Sequence, residues 1–134
     1  MPWGPTMSEI TSGVNWIAVG SGTVLSFVLG WLWYSPMLFG KAWAKGVGID
    51  LGAAAGMPVT PLVTQLVATF LLAWVIGVTA AQNALLTAFL VIAMVAVFIA
   101  ANGAFAKKSN QAIGIESGFV VAMGAVMIIM QGII

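Results

Sequence analysis

Gly30-Trp-Leu-Trp-Tyr-Ser-Pro-Met-Leu-Phe-Gly-Lys-Ala-Trp43 is the stretch whose reading decides the fold. It closes a long apolar run and brings in the first basic residue, Lys41. It also gathers Trp31, Trp33 and Trp43, three of the six tryptophans, with the single tyrosine, Tyr34. Indole and phenol rings are apolar bodies with one polar edge, so they collect where hydrocarbon meets headgroups. Pro36 lacks an N–H and disfavours helical geometry at Ser35, so a helix arriving from the N-terminal side stops here. The stretch reads as the landing of a membrane span.

The composition agrees. The chain of 134 residues is 62% hydrophobic and carries only four lysines and three acids, 5% charged against about a quarter in a soluble domain. Arg, His and Cys are absent, which removes His- or thiolate-based catalysis, Cys/His zinc sites and disulfides. A net charge of +1 leaves no electrostatic footprint for nucleic acid. The first nine residues hold no Lys or Arg, and the apolar run after them ends in Trp-Tyr-Ser-Pro rather than a small-residue cleavage site. That run therefore reads as a retained span, preceded by an irregular lead-in at Pro2 and Pro5.

Four apolar segments follow, at about 14–34, 61–81, 84–106 and 112–134. Each is long enough at 1.5 Å per residue to cross a hydrocarbon core of about 30 Å. The short break Ala80-Ala-Gln-Asn83 reads as a tight turn between two full spans rather than the middle of one long helix. The fold predicted is an all-α membrane protein: one domain over 1–134, four transmembrane helices in an up-and-down bundle, and a short interfacial helix after the first span. That interfacial helix covers 37–47. Phe39 and Trp43 share one face, directed to the acyl boundary, and Lys41 and Lys45 share the other. Residues 46–61, with Asp50 their only charge, read as a flexible connection, and Thr60-Pro61 as an N-cap and first-turn proline.

Lys41 and Lys45 lie between spans one and two, Lys107 and Lys108 between spans three and four. An up-and-down bundle puts both loops at one end, and the positive-inside rule assigns that end to the cytoplasm, with both termini outside. Stripes of small residues recur at spacings of four: Ala18, Gly22, Ser26, Gly30; Ala73, Gly77, Ala81; Ala96, Ala100, Ala104; Gly114, Gly118, Ala122. Such faces let membrane helices approach closely, so association with a membrane-protein partner or with a second copy is expected.

The intramembrane polar groups are the candidate site. Glu116 is the one carboxyl group inside a span, roughly 6 Å along the axis from Ala112. Asn102 is equidistant from a hairpin turn centred on Ser109, and Lys108 lies eight residues before the acid on the same stripe. A carboxyl group at this depth must be paired, hydrogen-bonded or protonated. Glu116 with Asn102 and Lys108 is thus either a proton, cation or solute site or a clamp that closes the hairpin. A second candidate is the aromatic rim, Trp31, Trp33, Tyr34, Phe39, Lys41 and Trp43, as a docking surface. No phosphate-binding loop, metal-ligand cluster, nucleophile with a base or cofactor motif appears, and Met123, Met127 and Met130 read as adaptable packing.

Trp33-Tyr-Ser-Pro-Met-Leu-Phe-Gly-Lys-Ala-Trp43 resembles the signature of a family of small bacterial four-span membrane proteins catalogued as domain of unknown function 1761. Asn15-Trp16, Asn102, the basic turn and Glu116-Ser-Gly118 extend the resemblance over nearly the whole chain. It implies the four-span architecture and brings no biochemical role with it. Two functional expectations therefore stand. One is a non-enzymatic accessory or interaction subunit, without a cofactor. The other is a small transporter or channel component using Glu116 and Asn102.

Overall fold

The computed structural model describes residues 4, 6–48 and 59–134, and every regular element in them is a helix. A single turn, α1 (Ser8–Thr11), precedes α2 (Trp16–Trp33), and a short α3 (Gly40–Val47) follows it. Then come α4 (Val59–Ala81), α5 (Leu85–Phe105) and α6 (Asn110–Ile133). Four of them, with 18, 23, 21 and 24 residues, are long and apolar enough to cross a membrane. At 1.5 Å per residue they reach about 27–36 Å. The chain is a multi-pass membrane protein.

Local chemistry sets the ends. Asn15 caps α2, its Oδ1 accepting from Ala18 N at 3.1 Å, so the helix starts two residues later than the apolar run suggested. After Trp33 the chain turns instead of continuing. Phe39 N donates to Trp33 O, Gly40 N donates to Ser35 O at 2.9 Å, and α3 begins at Gly40 rather than at 37. Only glycine fits there, because a Cβ at position 40 would collide with the Tyr34 and Ser35 carbonyls. Gly48, at φ 81°, ends α3 in the left-handed conformation.

Thr60 is not a cap. The helix already includes Val59, and Thr60 O accepts a hydroxyl hydrogen bond from Thr64 at 2.8 Å. Pro61 is tolerated because first-turn N–H groups have no intrahelical acceptor. The turn at Gln82-Asn83 is as tight as expected, with Asn83 in the left-handed region at φ 53°. Ser109 caps α6, accepting from Ala112 N at 3.1 Å. Of the irregular lead-in, Pro2 and Pro5 lie outside the described residues, as does Asp50 in the connection 46–61, whereas Ser8–Thr11 forms the unforeseen α1.

The last helix, α6, is the staff of the bundle and packs against α2, α3, α4 and α5, while α4 closes the ring against α2 and α5. The core comprises Val19, Ala73, Ile76, Ala88, Ile92, Phe119, Val120, Met123 and Met127. Its seams are large side chains set into glycine notches. A Cβ on Gly22 would lie 3.4 Å from Met127 Cγ, one on Gly30 2.8 Å from the Phe119 ring, and one on Gly77 2.8 Å from Val19. Gly103 lies under Ile113 and Gly124 under Ile92, which zips α5 to α6, and Ser117 Oγ donates to Ala96 O at 3.1 Å across the same hairpin.

The small-residue stripes proposed for α2 and α4 therefore lie in the core: Ala18, Gly22 and Ser26 are buried, and so are Ala73 and Gly77. Those of α5 and α6 are displaced. Gly114 has nothing near it and Ala104 faces outward. On α6 the buried face is instead Ile115, Phe119, Val120, Met123 and Met127, of which Phe119 and Met127 find notches at Gly30 and Gly22 of α2 and gain more contact than small residues facing small ones.

Candidate functional site

The end of α2, the whole of α3 and the start of α6 meet at the lysine-bearing end of the bundle. Gly46 O accepts from Ser109 N at 3.1 Å, which brings the two lysine-bearing segments to the same end. Gly46 itself is pressed against Ser109 Oγ and the Ala112 Cβ, so α3 lies directly on the first turn of α6.

Two indoles fasten this junction. Trp33 Nε1 donates to Ile115 O at 3.1 Å, and its ring rests against Phe39 (4.7 Å between centroids) and Phe119 (6.0 Å). Trp43 Nε1 donates to Glu116 Oε2 at 2.8 Å. Lys108 Nζ then reaches both carboxylate oxygens, Oε1 at 3.1 Å and Oε2 at 2.9 Å. The carboxylate is thus held by three charge-assisted hydrogen bonds in a site where its side chain is 15% exposed and that of Lys108 31%. Tyr34 sits between the layers, edge-on to Trp43 and to Phe119 at 5.3 Å each.

Of the predicted site residues, Glu116 and Lys108 are paired directly. Asn102 stands close by on the wall of the same groove and makes no hydrogen bond to Glu116. From the aromatic rim, Trp33, Tyr34 and Trp43 turn inward onto α6. Phe39 covers Trp33, while Trp31 (78% exposed) and Lys41 face outward. The acyl-boundary orientation foreseen for Trp43 gives way to the contact with Glu116, since an indole N–H bound to a carboxylate is better satisfied than one left in hydrocarbon.

Sequence reading missed the groove. It runs between α4 and α5 over a floor of α6, encloses about 790 Å³, and is walled by Leu72, Val95, Ile99, Phe119 and Met123. Gln65 and Thr69 line it on α4, where Thr69 Oγ1 donates to Gln65 O at 2.7 Å. Tyr34, Asn102, Lys108 and Glu116 form its polar end. No glycine notch joins α4 to α5 among the described residues, and this is the seam that stays open. No group of three or more His, Asp or Glu side chains suited to a metal ion occurs among the described residues.

No curated protein and no solved structure is detectably similar to the chain. A family model described as "Protein of unknown function (DUF1761)" matches residues 17–133, which takes in the four spans but for Trp16, together with Trp33, Trp43, Lys108 and Glu116. The chain belongs to the DUF1761 family of proteins of unknown function.

Proposed function

We propose that the protein is a non-enzymatic integral protein of a bacterial inner membrane and works as an accessory or interaction subunit, in a larger membrane complex or as a homo-oligomer. The observation that carries this reading is the state of Glu116. Its carboxylate is bound by Trp43 and Lys108 and fastens α3 to α6. A carboxylate bound to this chain's own Trp43 and Lys108 supports an architectural role. The lysine-bearing end is assigned to the cytoplasm on the positive-inside rule, with both termini periplasmic. The chain has no cysteine, so single cysteines in place of Lys41 and Thr6 report sidedness with a membrane-impermeant maleimide on intact cells. Labelling at Thr6 alone is the expected outcome, and labelling at Lys41 alone reverses the assignment.

The other reading, a transporter or channel component, draws on Asn102, which stands beside the ion pair on an open groove with no side-chain hydrogen bond to the described residues. Glu116→Gln separates the two. Native mass spectrometry of tagged protein from native membranes is expected to show a reproducible assembly that the variant weakens. An unchanged assembly accompanied by lost solute flux would overturn the subunit reading.

A further inference from the structure

The groove between α4 and α5 matches a lipid in three respects. Its volume of about 790 Å³ falls within the roughly 300–1,000 Å³ typical of small-molecule sites, and its walls are mostly apolar with a few convergent polar groups. Its lining on α5 runs from Val91 to Gly103. That is roughly 18 Å of helix at 1.5 Å per residue, a little over half the hydrocarbon core of about 30 Å, the depth of one leaflet. Its polar end then falls where a lipid of that leaflet carries its head.

The chemistry of that end selects the head. Lys108 and Glu116 neutralise one another, so an anionic head would face the Glu116 carboxylate and a cationic one the Lys108 ammonium, each in a site poor in water. A neutral head meets no such penalty. Donors are available to it: the Asn102 amide and the Tyr34 hydroxyl, for neither of which the described residues supply a hydrogen-bond partner, and the Lys108 N–H left over from its two bonds to Glu116. Such a set suits a carbonyl oxygen. We propose that the groove binds a neutral, carbonyl-bearing lipid of the quinone type. Its chain lies along Leu72, Val95, Ile99 and Met123, and its head accepts hydrogen bonds from Asn102, Tyr34 and Lys108.

The test uses the full chain in nanodiscs with Ala68→Cys as its single thiol, Ala68 being an outward-facing residue of the groove wall. Maleimide alkylation is followed with decylubiquinone, decyl phosphate or decyltrimethylammonium, which share a chain and differ in head charge. Decylubiquinone is expected to protect the thiol at concentrations where the charged amphiphiles do not. Asn102→Leu and Tyr34→Phe should each weaken that protection about fivefold, the scale of one hydrogen bond. Equal protection by all three would overturn the head assignment while keeping a lipid groove. Protection by none would overturn the groove itself. Unchanged protection in both variants would remove Asn102 and Tyr34 from the site.

Discussion

At the end of the bundle away from the lysines, Trp74 of α4 donates its indole N–H to the Ile10 carbonyl of α1 at 2.7 Å and lies 5.5 Å from the Trp16 ring. At the lysine end, Trp43 of α3 donates to the Glu116 carboxylate at 2.8 Å. The same group does the same work against two different acceptors, one neutral and one charged. The difference follows from connectivity. At the far end a three-residue turn ties α4 to α5, and nothing but backbone and aromatic contacts is needed. At the lysine end α2, α3 and α6 must be fastened together across long stretches of sequence, and α4 and α5 are left unjoined. The carboxylate latch fastens the first three, and the groove is what remains between the other two.

Breaking the latch should give the largest effect. Lys108→Met leaves Glu116 bound only by an indole in a site of low polarity, a loss of about 2–3 kcal/mol, below that of a fully buried pair because Lys108 is partly exposed. Thermal unfolding in nanodiscs measures it, and the double variant Lys108→Met, Glu116→Gln should recover most of the loss. A double variant no better than the single one would mean that the pair is not the unit of stability at this end.

The indoles sharpen the comparison. Trp43→Phe keeps a ring against Tyr34 but removes the donor to a carboxylate, at about 1.5–3 kcal/mol, and Trp74→Phe removes a donor to a neutral carbonyl, at about 0.5–1.5 kcal/mol. Equal midpoints for the two variants would erase the distinction between the ends.

How far the sequence carried the fold depends on the range of each signal. The four spans were legible because length and apolarity are local properties. The turn at Gln82-Asn83 was legible because asparagine tolerates the left-handed conformation found at Asn83. The pairing of Lys108 with Glu116, and the position of Asn102 near them, followed from counting residues outward from a single hairpin. The Trp43 contact was not legible, since its acceptor lies 73 residues away and an indole at an interface has an equally good reason to face lipid. The stripe of α6 failed for a related reason. Spacing reveals that small residues share a face, but which face is buried depended on where Phe119 and Met127 found room, at Gly30 and Gly22 of another helix. The single turn of α1 is too short to show any periodicity.

The smallest single effect expected is that of Gly20→Ala, and it is paired with a second glycine for which the opposite sign is predicted. Gly46 is in close contact with Ser109 Oγ and the Ala112 Cβ, so Gly46→Ala must push α3 off the first turn of α6 and disturb the Ser109 cap. Overpacking of this kind costs about 1–3 kcal/mol, and the flexible far end of a side chain is not what stands in the way. Gly20, on an outward face of α2, has nothing within 4 Å of an added Cβ. There alanine meets no neighbour and raises helix propensity, a gain of up to about 1 kcal/mol. Paired melting curves should therefore move in opposite directions. If Gly46→Ala left the midpoint where Gly20→Ala puts it, α3 would not be seated on α6, and the Trp43–Glu116 contact that depends on that seating would fall with it.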